Sequence, residues 1–257
     1  MSRYAPQGPA VVIGPGPMTP AVKAILFANV AVFIPHFLLV SFAGSQLISD
    51  IFGLSPRAVF EGGQIWRLVT FMFVHDALGF THILFNMLAL WMFGVDLERR
   101  WGTRGFVKYY AITGIGSGIG TALIALLPFD VTREIYAATT IGASGAIYGL
   151  LLAWAVIFPH RNILFMFIFP LPARVAAFLM GAMAFLAAVS GRNGSVAEAT
   201  HLSGLIVGWF YLSGPTSLNL AIKYRLTKWR MDRMRRKFNV YPGGRKGGGD
   251  DWSGRIH

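Results

Sequence analysis

Residues 141–158 read IGASGAIYGLLLAWAVIF, and none of these side chains is charged. A run this apolar predicts a helix inside a lipid bilayer, although a hydrocarbon core of about 30 Å needs ~20 residues. Glycine and serine occupy its first positions, whereas leucine, alanine and aromatic residues fill most of the rest. We therefore interpret it as a short membrane span that starts below one surface, with water or a loop above it.

Five more apolar runs accompany this one, and together they predict an all-α membrane protein with six transmembrane helices. The predicted spans are about 21–43, 81–97, 106–127, 141–158, 172–189 and 200–213. Residues 44–80 form a long membrane-associated first loop, in which residues 65–69 are amphipathic and suit the interface. The prolines within residues 159–172 argue against one straight helix through that stretch.

The composition supports a membrane protein and excludes several kinds of site. Of the 257 residues, 54% are hydrophobic and 13% are charged, whereas a soluble domain carries roughly 25% charge. The absence of cysteine excludes disulfides, thiolate metal sites and cysteine nucleophiles. We expect a flexible N-terminal segment over residues 1–20, a six-helix domain over 21–213 and a basic tail over 214–257.

The net charge of +12 is concentrated in residues 223–255, directly after the last span. A basic segment beside a membrane predicts a cytoplasmic position and contact with anionic lipid headgroups. No nucleic-acid-binding motif accompanies it, so we expect no nucleic-acid partner. If both termini are cytoplasmic, only Arg57, Arg67, Arg133 and Arg192 of the 23 basic residues lie outside. This asymmetry predicts that topology, in a membrane such as the bacterial inner membrane.

Polar side chains fall near the starts of the second, fourth and sixth spans. They are His82 and Asn86, Ser144, and His201. Under the predicted topology these three spans all run from outside to inside, so their first turns lie at similar depths near the outer face. Because polar groups inside a membrane are costly, such a group is a candidate functional site by default.

Small residues repeat at helical spacing in the fourth and sixth spans, which permits two helices to pack closely. They are Gly145 and Gly149 in the fourth span and Gly204 and Gly208 in the sixth. Close packing would let His201 hydrogen-bond Ser144 and take its proton during nucleophilic attack.

The remaining polar groups, His82 and Asn86, are suited to stabilise the negative charge that forms on the carbonyl oxygen in such a reaction. His82 and Asn86 stand one turn apart and both offer N–H donors. The backbone N–H of Ser144 has no partner within its helix, because it lies in the first turn. These three donors could stabilise an oxyanion.

Each signal by itself also has a structural interpretation. A Gly-x-Ser-Gly sequence marks helix packing more often than catalysis, a histidine at a helix end often caps it, and an intramembrane asparagine often bridges two helices. The coincidence at one depth favours a hydrolase. A zinc protease would need HExxH and an aspartyl protease two intramembrane aspartates, and the chain has neither. A channel would need polar residues deep in several spans, whereas these cluster at the outer end.

The chain resembles the rhomboid intramembrane serine proteases in the order and placement of short motifs between about residues 21 and 213. The matching motifs are Trp66-Arg67, His82-x-x-x-Asn86, Glu98-Arg99-x-Trp101-Gly102, Gly142-x-Ser144-Gly145 and His201-x-x-Gly204-x-x-x-Gly208. No single motif is specific, whereas the set is.

The resemblance implies a serine endopeptidase that cuts transmembrane protein substrates in or near their membrane helices, with no cofactor and no metal. Ser144 would be the nucleophile and His201 the base, without a third acid. Tyr148 would stack beneath His201, while His82, Asn86 and the Ser144 amide would form the oxyanion hole. The alternative is a non-catalytic rhomboid-like protein that binds membrane proteins.

Further expectations concern the surroundings of this site and the other histidines. Thr200 stands where the family usually has alanine, and its hydroxyl could compete for the His201 imidazole. Residues 190–199 would form a loop that caps the site. His75 and Asp76 are expected to be solvated, and His36 suggests no site.

Overall fold

A computed structural model of the chain describes residues 15–165, 169–190 and 195–214, which are mostly helical. The helices are α1 (Pro20–Ala43), α2 (Leu47–Phe52), α3 (Pro56–Gly62), α4 (Arg67–Thr70), α5 (Phe80–Ile124), α6 (Asp130–Ala137), α7 (Ser144–Ile157), α8 (Ala173–Val189) and α9 (Ser195–Ser213). A short antiparallel pair, β1 (Asn162–Phe165) and β2 (Phe169–Pro172), precedes α8. Most of the predicted N-terminal segment and nearly all of the basic tail lie outside the described residues.

A single glycine divides the 45-residue helix α5 into two arms. Gly102 has φ 73° and ψ 164°, a conformation that side-chain-bearing residues rarely adopt, and nothing lies near the position of an added Cβ. The glycine is therefore required by its backbone angle and not by lack of space. The arms, residues 80–101 and 103–124, contain most of the second and third predicted spans.

The helices differ in length and in how they compare with the predicted spans. By length and composition, α1 and α5 are long and apolar enough to cross a membrane, and α7 and α8 are shorter apolar helices. The observed starts of α1 and α8 lie within one residue of the predicted ones. Helix α9 begins at Ser195, five residues before its predicted start at Thr200. This additional turn carries Glu198.

The predicted first loop is highly structured, and Arg67 holds part of it together. The Arg67 guanidinium is buried and donates hydrogen bonds to the carbonyl oxygens of Gly53, at 2.6 Å, and of Asp50. The neighbouring Trp66 indole donates to the Ile51 carbonyl at 3.1 Å. Because these carbonyls belong to the last turn of α2 and the residue after it, the Trp66-Arg67 pair ties α2 to α4.

The prolines of residues 159–172 coincide with a strand pair, which the sequence did not predict. In the antiparallel register Asn162 pairs with Pro172 and Leu164 with Pro170. Proline cannot donate to a strand ladder and is tolerated where a strand has a free edge, as both strands of a two-stranded pair do. The expectation that no straight helix runs through this stretch is therefore confirmed, and the all-α prediction missed the short strands.

Helix α7 is the most enclosed of the apolar helices and fixes where Ser144 lies. Ala146, Leu150 and Ala153 are fully buried, and α7 packs against α5 and α8. Gly149 lies so close to Thr113 of α5 that an added Cβ would approach the threonine side chain to 2.7 Å. Packing along the length of α7 therefore fixes the position of its first residue, Ser144.

Candidate active site

Gly142 shapes the turn that leads into α7. Its φ is 115° and its backbone N–H donates to the carbonyl of Phe71 at 2.9 Å. A methyl group on Gly142 would lie 2.8 Å from Nε2 of His82 and 3.9 Å from Oγ of Ser144. The imidazole nitrogen and the hydroxyl therefore both border the small space beside Gly142, which a larger residue would fill.

Ser144 and His201 are in direct contact, as the sequence analysis predicted. The Oγ atom of Ser144 lies 2.7 Å from Nε2 of His201, a short distance for an O–H···N hydrogen bond. Ser144 is the first residue of α7, so its backbone N–H has no acceptor within the helix. A hydroxyl in this position can lose its proton to the imidazole as it attacks an electrophile.

Glycines set the short distance between α7 and α9. A Cβ atom on Gly204 would overlap the carbonyl oxygen of Gly145. One turn further, a Cβ on Gly208 would lie 3.4 Å from Cα of Gly149 and 2.7 Å from the Tyr109 hydroxyl. The predicted pairing of small residues between these two helices is therefore confirmed in the structure.

Tyr148 limits the orientation of the His201 ring. The two ring centroids are 4.3 Å apart and the ring planes are 6° from parallel. Tyr148 follows Ser144 by one helical turn, so the same helix presents both the hydroxyl and the stacking surface to His201. Stacking of this kind restricts the imidazole to rotation within its own plane.

His82 and Asn86 lie one turn apart on α5, and the Asn86 side chain bonds to the backbone of His82. The Asp76 backbone N–H donates to Nδ1 of His82 at 3.4 Å, which leaves Nε2, the nitrogen beside Gly142, to carry the ring proton. Asn86 donates one amide N–H to the His82 carbonyl at 2.7 Å. This bond lies within α5, and among the described residues Asn86 has no hydrogen bond to Ser144 or His201. Its second amide N–H remains as a donor.

A family model described as a Rhomboid domain matches residues 62–214, which contain every residue of this group. This chain belongs to the rhomboid family. It is 34% identical over 151 residues to the putative rhomboid protease YdcA of Bacillus subtilis, covering 59% of this chain and 67% of that protein. It is 28% identical over 199 residues to the rhomboid protease AarA of Providencia stuartii, covering 72% and 68%.

A mitochondrial relative is matched over a smaller share of its length. Rhomboid protein 1 of Saccharomyces cerevisiae is 35% identical over 133 residues, which are 51% of this chain and 37% of the yeast protein. The chain thus spans about a third of this relative and about two thirds of the bacterial ones named above. As a rhomboid with long apolar helices, it is an integral membrane protein, and the family includes bacterial and mitochondrial members.

Glu198 is a site residue that the sequence analysis missed. Its Oε2 atom lies 3.0 Å from Nδ1 of His201, on the side of the ring opposite Ser144. The signal was the spacing Glu-x-x-His, which places both side chains on one face of a helix. It was missed because residues 190–199 were assigned to a capping loop, whereas α9 begins at Ser195.

Thr200 does not use its hydroxyl on the His201 imidazole in this rhomboid. The Thr200 hydroxyl is 2.9 Å from Oγ1 of Thr121 and 3.3 Å from the carbonyl of Val196. Thr200 is 1% exposed, so these bonds satisfy a buried polar group. The expected competition for His201 is therefore absent among the contacts of the described residues, and the hydroxyl instead links α9 to α5.

His75 is buried, contrary to the expectation that it is solvated. The side chain has no exposed surface, and its ring centroid lies 5.1 Å from that of His82. Burial, followed by the neighbouring His82, lowers the pKa of His75 to about 4. Nδ1–H of His36 donates to the His75 backbone carbonyl at 3.1 Å, so both histidines belong to the packing behind His82.

The Glu98-Arg99 motif lies away from this group and holds the start of α1. The Glu98 carboxylate accepts hydrogen bonds from the backbone N–H groups of Ala21 and Val22 at 3.0–3.1 Å. These N–H groups have no partners inside α1, so the carboxylate acts as a cap from another helix. Arg99 donates to the Pro17 carbonyl at 3.1 Å just before α1. The motif is structural here.

Proposed function

We propose that this rhomboid is an intramembrane serine endopeptidase in which Ser144 is the nucleophile and His201 the general base. The observation that carries the proposal is the 2.7 Å distance between Ser144 Oγ and His201 Nε2, with Tyr148 stacked on the ring. The named bacterial relatives are described as rhomboid proteases, which supports the same class of reaction.

The chemistry follows from the positions of these atoms. Ser144 Oγ attacks the scissile carbonyl carbon while its proton moves to Nε2 of His201. The carbonyl oxygen becomes an oxyanion, and we assign its stabilisation to Nε2–H of His82, the free amide N–H of Asn86 and the Ser144 backbone N–H. His201 then gives its proton to the leaving amine. Water repeats the sequence on the acyl-enzyme and releases the second product.

The helix order supports a six-span topology. The two arms of α5, together with α1, α7, α8 and α9, supply six apolar helical segments at the positions of the predicted spans. We assign both termini to the cytoplasm and Ser144 to a level near the outer face, on the distribution of Lys and Arg. A bacterial inner membrane suits this arrangement, and the basic residues 223–255 would contact anionic lipid headgroups.

The substrates would be membrane proteins cut in or near a transmembrane helix. A helix keeps its carbonyl groups in internal hydrogen bonds, so the enzyme needs a substrate segment that unwinds readily. The closely packed glycines at the start of α7 leave little room beside Ser144, which favours small residues at the cut.

A serine-directed fluorophosphonate tests the nucleophile without knowledge of the substrate. We expect the purified full-length protein to be labelled at Ser144, and the label to be lost in Ser144→Ala and His201→Ala. Ser203→Ala is the matched control, because Ser203 is a buried serine of α9 that takes no part in the proposed reaction. Labelling of Ser144→Ala equal to the wild type would refute the proposal, and an unlabelled wild type would favour the non-catalytic alternative.

A further inference from the structure

Both ring nitrogens of His201 have a polar partner in the structure. Nε2 lies 2.7 Å from Ser144 Oγ, and Nδ1 lies 3.0 Å from Oε2 of Glu198. The side chains of His201 and Glu198 are 14% and 26% exposed, so the pair is largely shielded from water. The three side chains therefore form a continuous chain of contacts from α9 to α7.

We propose that Glu198 is a positioning residue for His201, so that the proposed protease works with a Ser144–His201–Glu198 triad. The inference rests on the proposed function and extends it, because the family resemblance implied a serine–histidine pair without a third acid. Glu198 contacts neither the nucleophile nor, by its position behind the ring, the scissile bond, so it acts through His201.

The contact selects the form of the imidazole that the reaction needs. A carboxylate accepts hydrogen bonds only, so Oε2 of Glu198 requires a proton on Nδ1 of His201. Nε2 then carries a lone pair, and that lone pair points at the Ser144 hydroxyl. Without the carboxylate, the imidazole could place its proton on either nitrogen, and the tautomer with Nε2–H cannot accept the serine proton.

The carboxylate also stabilises the charge that forms on the ring. When Ser144 gives up its proton, that proton binds Nε2, Nδ1 keeps its own, and Glu198 remains ionised beside the imidazolium. Among the described residues, the titratable groups close to the ring are Tyr148 on α7, His82 on α5 and Glu198 on α9. Tyr148 is neutral as a phenol, and His82 would add positive charge only if protonated. Glu198 therefore supplies the opposite charge.

Helix geometry explains why Glu198 reaches this position. Glu198 precedes His201 by three residues, which puts the two side chains on one face of α9. Tyr148 covers one face of the imidazole, so the ring is held between a stacking surface and a hydrogen bond in its own plane. A glutamate in the first turn also stabilises a helix through its dipole, and that effect alone would be purely structural.

The test compares Glu198→Gln with a control variant that removes a different carboxylate, both in the full-length protein. Asp130→Asn is the control, because Asp130 also forms an i,i+3 pair in a first helical turn, with Arg133, but lies exposed in α6. We would measure kcat and KM for a fluorogenic single-span substrate in detergent, together with thermal unfolding. Ser144→Ala is run in the same assay.

We expect Glu198→Gln to lower kcat roughly 10- to 100-fold with KM changed less than about twofold, because the loss falls on proton transfer. Glu198→Asp should recover part of the activity, and Asp130→Asn should leave every parameter unchanged.

The outcomes separate this inference from the proposed function. If Ser144→Ala is inactive while Glu198→Gln keeps the wild-type kcat, the triad is refuted and the serine protease stands. A fall in thermal stability without a change in kcat would likewise refute it, because that is the signature of a helix-capping role. Undiminished cleavage by Ser144→Ala would overturn both.

Discussion

Gly204 of α9 lies against the carbonyl oxygen of Gly145 in α7 so closely that a Cβ atom on Gly204 would overlap it. Ser144 immediately precedes Gly145, and His201 precedes Gly204 by three residues on the same helix. The close approach of the two backbones therefore sets the 2.7 Å distance between the serine hydroxyl and the imidazole. The geometry of the proposed Ser144–His201 pair therefore depends on helix packing as much as on the two side chains.

Gly204→Ala should separate α7 from α9 and break the Ser144–His201 hydrogen bond. The obstructing atom is a backbone oxygen, which cannot move aside as a flexible side chain can. We expect a loss of stability of about 2 kcal/mol, typical of overpacking, and at least a ~10-fold fall in kcat. Thermal unfolding and peptide-bond cleavage in detergent would measure the two effects.

Gly181→Ala in α8 is the control for this prediction. An added Cβ there would meet only the end of the Leu205 side chain, at 3.2 Å. It should therefore change stability and activity little. Wild-type cleavage by Gly204→Ala would show that the glycine contact does not set the geometry of the site.

Asn86→Ala should lower kcat by roughly 10²-fold with a small change in KM, because it removes a donor to the oxyanion. Asn29→Ala is a closely matched control. Asn29 is buried in α1 and donates to the carbonyl four residues earlier at 2.8 Å, as Asn86 does at 2.7 Å. Both variants should lose similar stability, as measured by thermal unfolding, while only Asn86→Ala loses kcat. Equal kcat values for the two variants would show that Asn86 is not part of the oxyanion hole.

His75 should make the folded protein less stable in mild acid. Burial lowers the pKa of its ring to about 4, whereas the unfolded chain binds the same proton near pH 6.5. Between these values the unfolded state holds more protons, so this contribution is complete above about pH 6.5 and is lost as the pH falls towards 4. The loss is on the order of 3 kcal/mol.

The measurement is the unfolding temperature between pH 4 and 7 for the wild type, His75→Phe and His160→Phe. His75→Phe keeps an aromatic ring in the buried position but cannot titrate, so its stability should vary less with pH. His160 is exposed, and its replacement should leave the wild-type pH dependence intact. Identical pH profiles for all three proteins would contradict the assignment.

Much of the helical order could be predicted from the sequence, because long apolar runs have few alternatives in a bilayer. The starts of α1 and α8 were predicted within one residue, and Gly102 lies between the second and third predicted spans. The contact between Ser144 and His201 followed from glycine spacing and common depth, whereas the stacking of Tyr148 on His201 was implied by the family resemblance. The strands β1 and β2 were missed, because proline-rich apolar sequence indicates only where a helix cannot continue.

Glu198 could not be found by the same reasoning. Its turn of α9 is polar and follows Asn193-Gly194, which is typical of a loop, so hydropathy gave the helix a late start. The burial of His75 was missed for a different reason. A histidine between two predicted spans is expected to be solvated unless another element covers it. Here α1 does so, through His36. The surroundings of Glu198 and His75 depend on tertiary contacts, which a local sequence pattern cannot predict.

The most direct test of the central claim is cleavage of a single-span membrane substrate by the purified full-length protein in detergent, beside Ser144→Ala at equal concentration. We predict cleavage by the wild type and at least a ~10³-fold lower rate for Ser144→Ala, because the variant retains the fold and the oxyanion donors but lacks the nucleophile. Cleavage of the substrate by Ser144→Ala at the wild-type rate would contradict the claim that Ser144 carries the reaction.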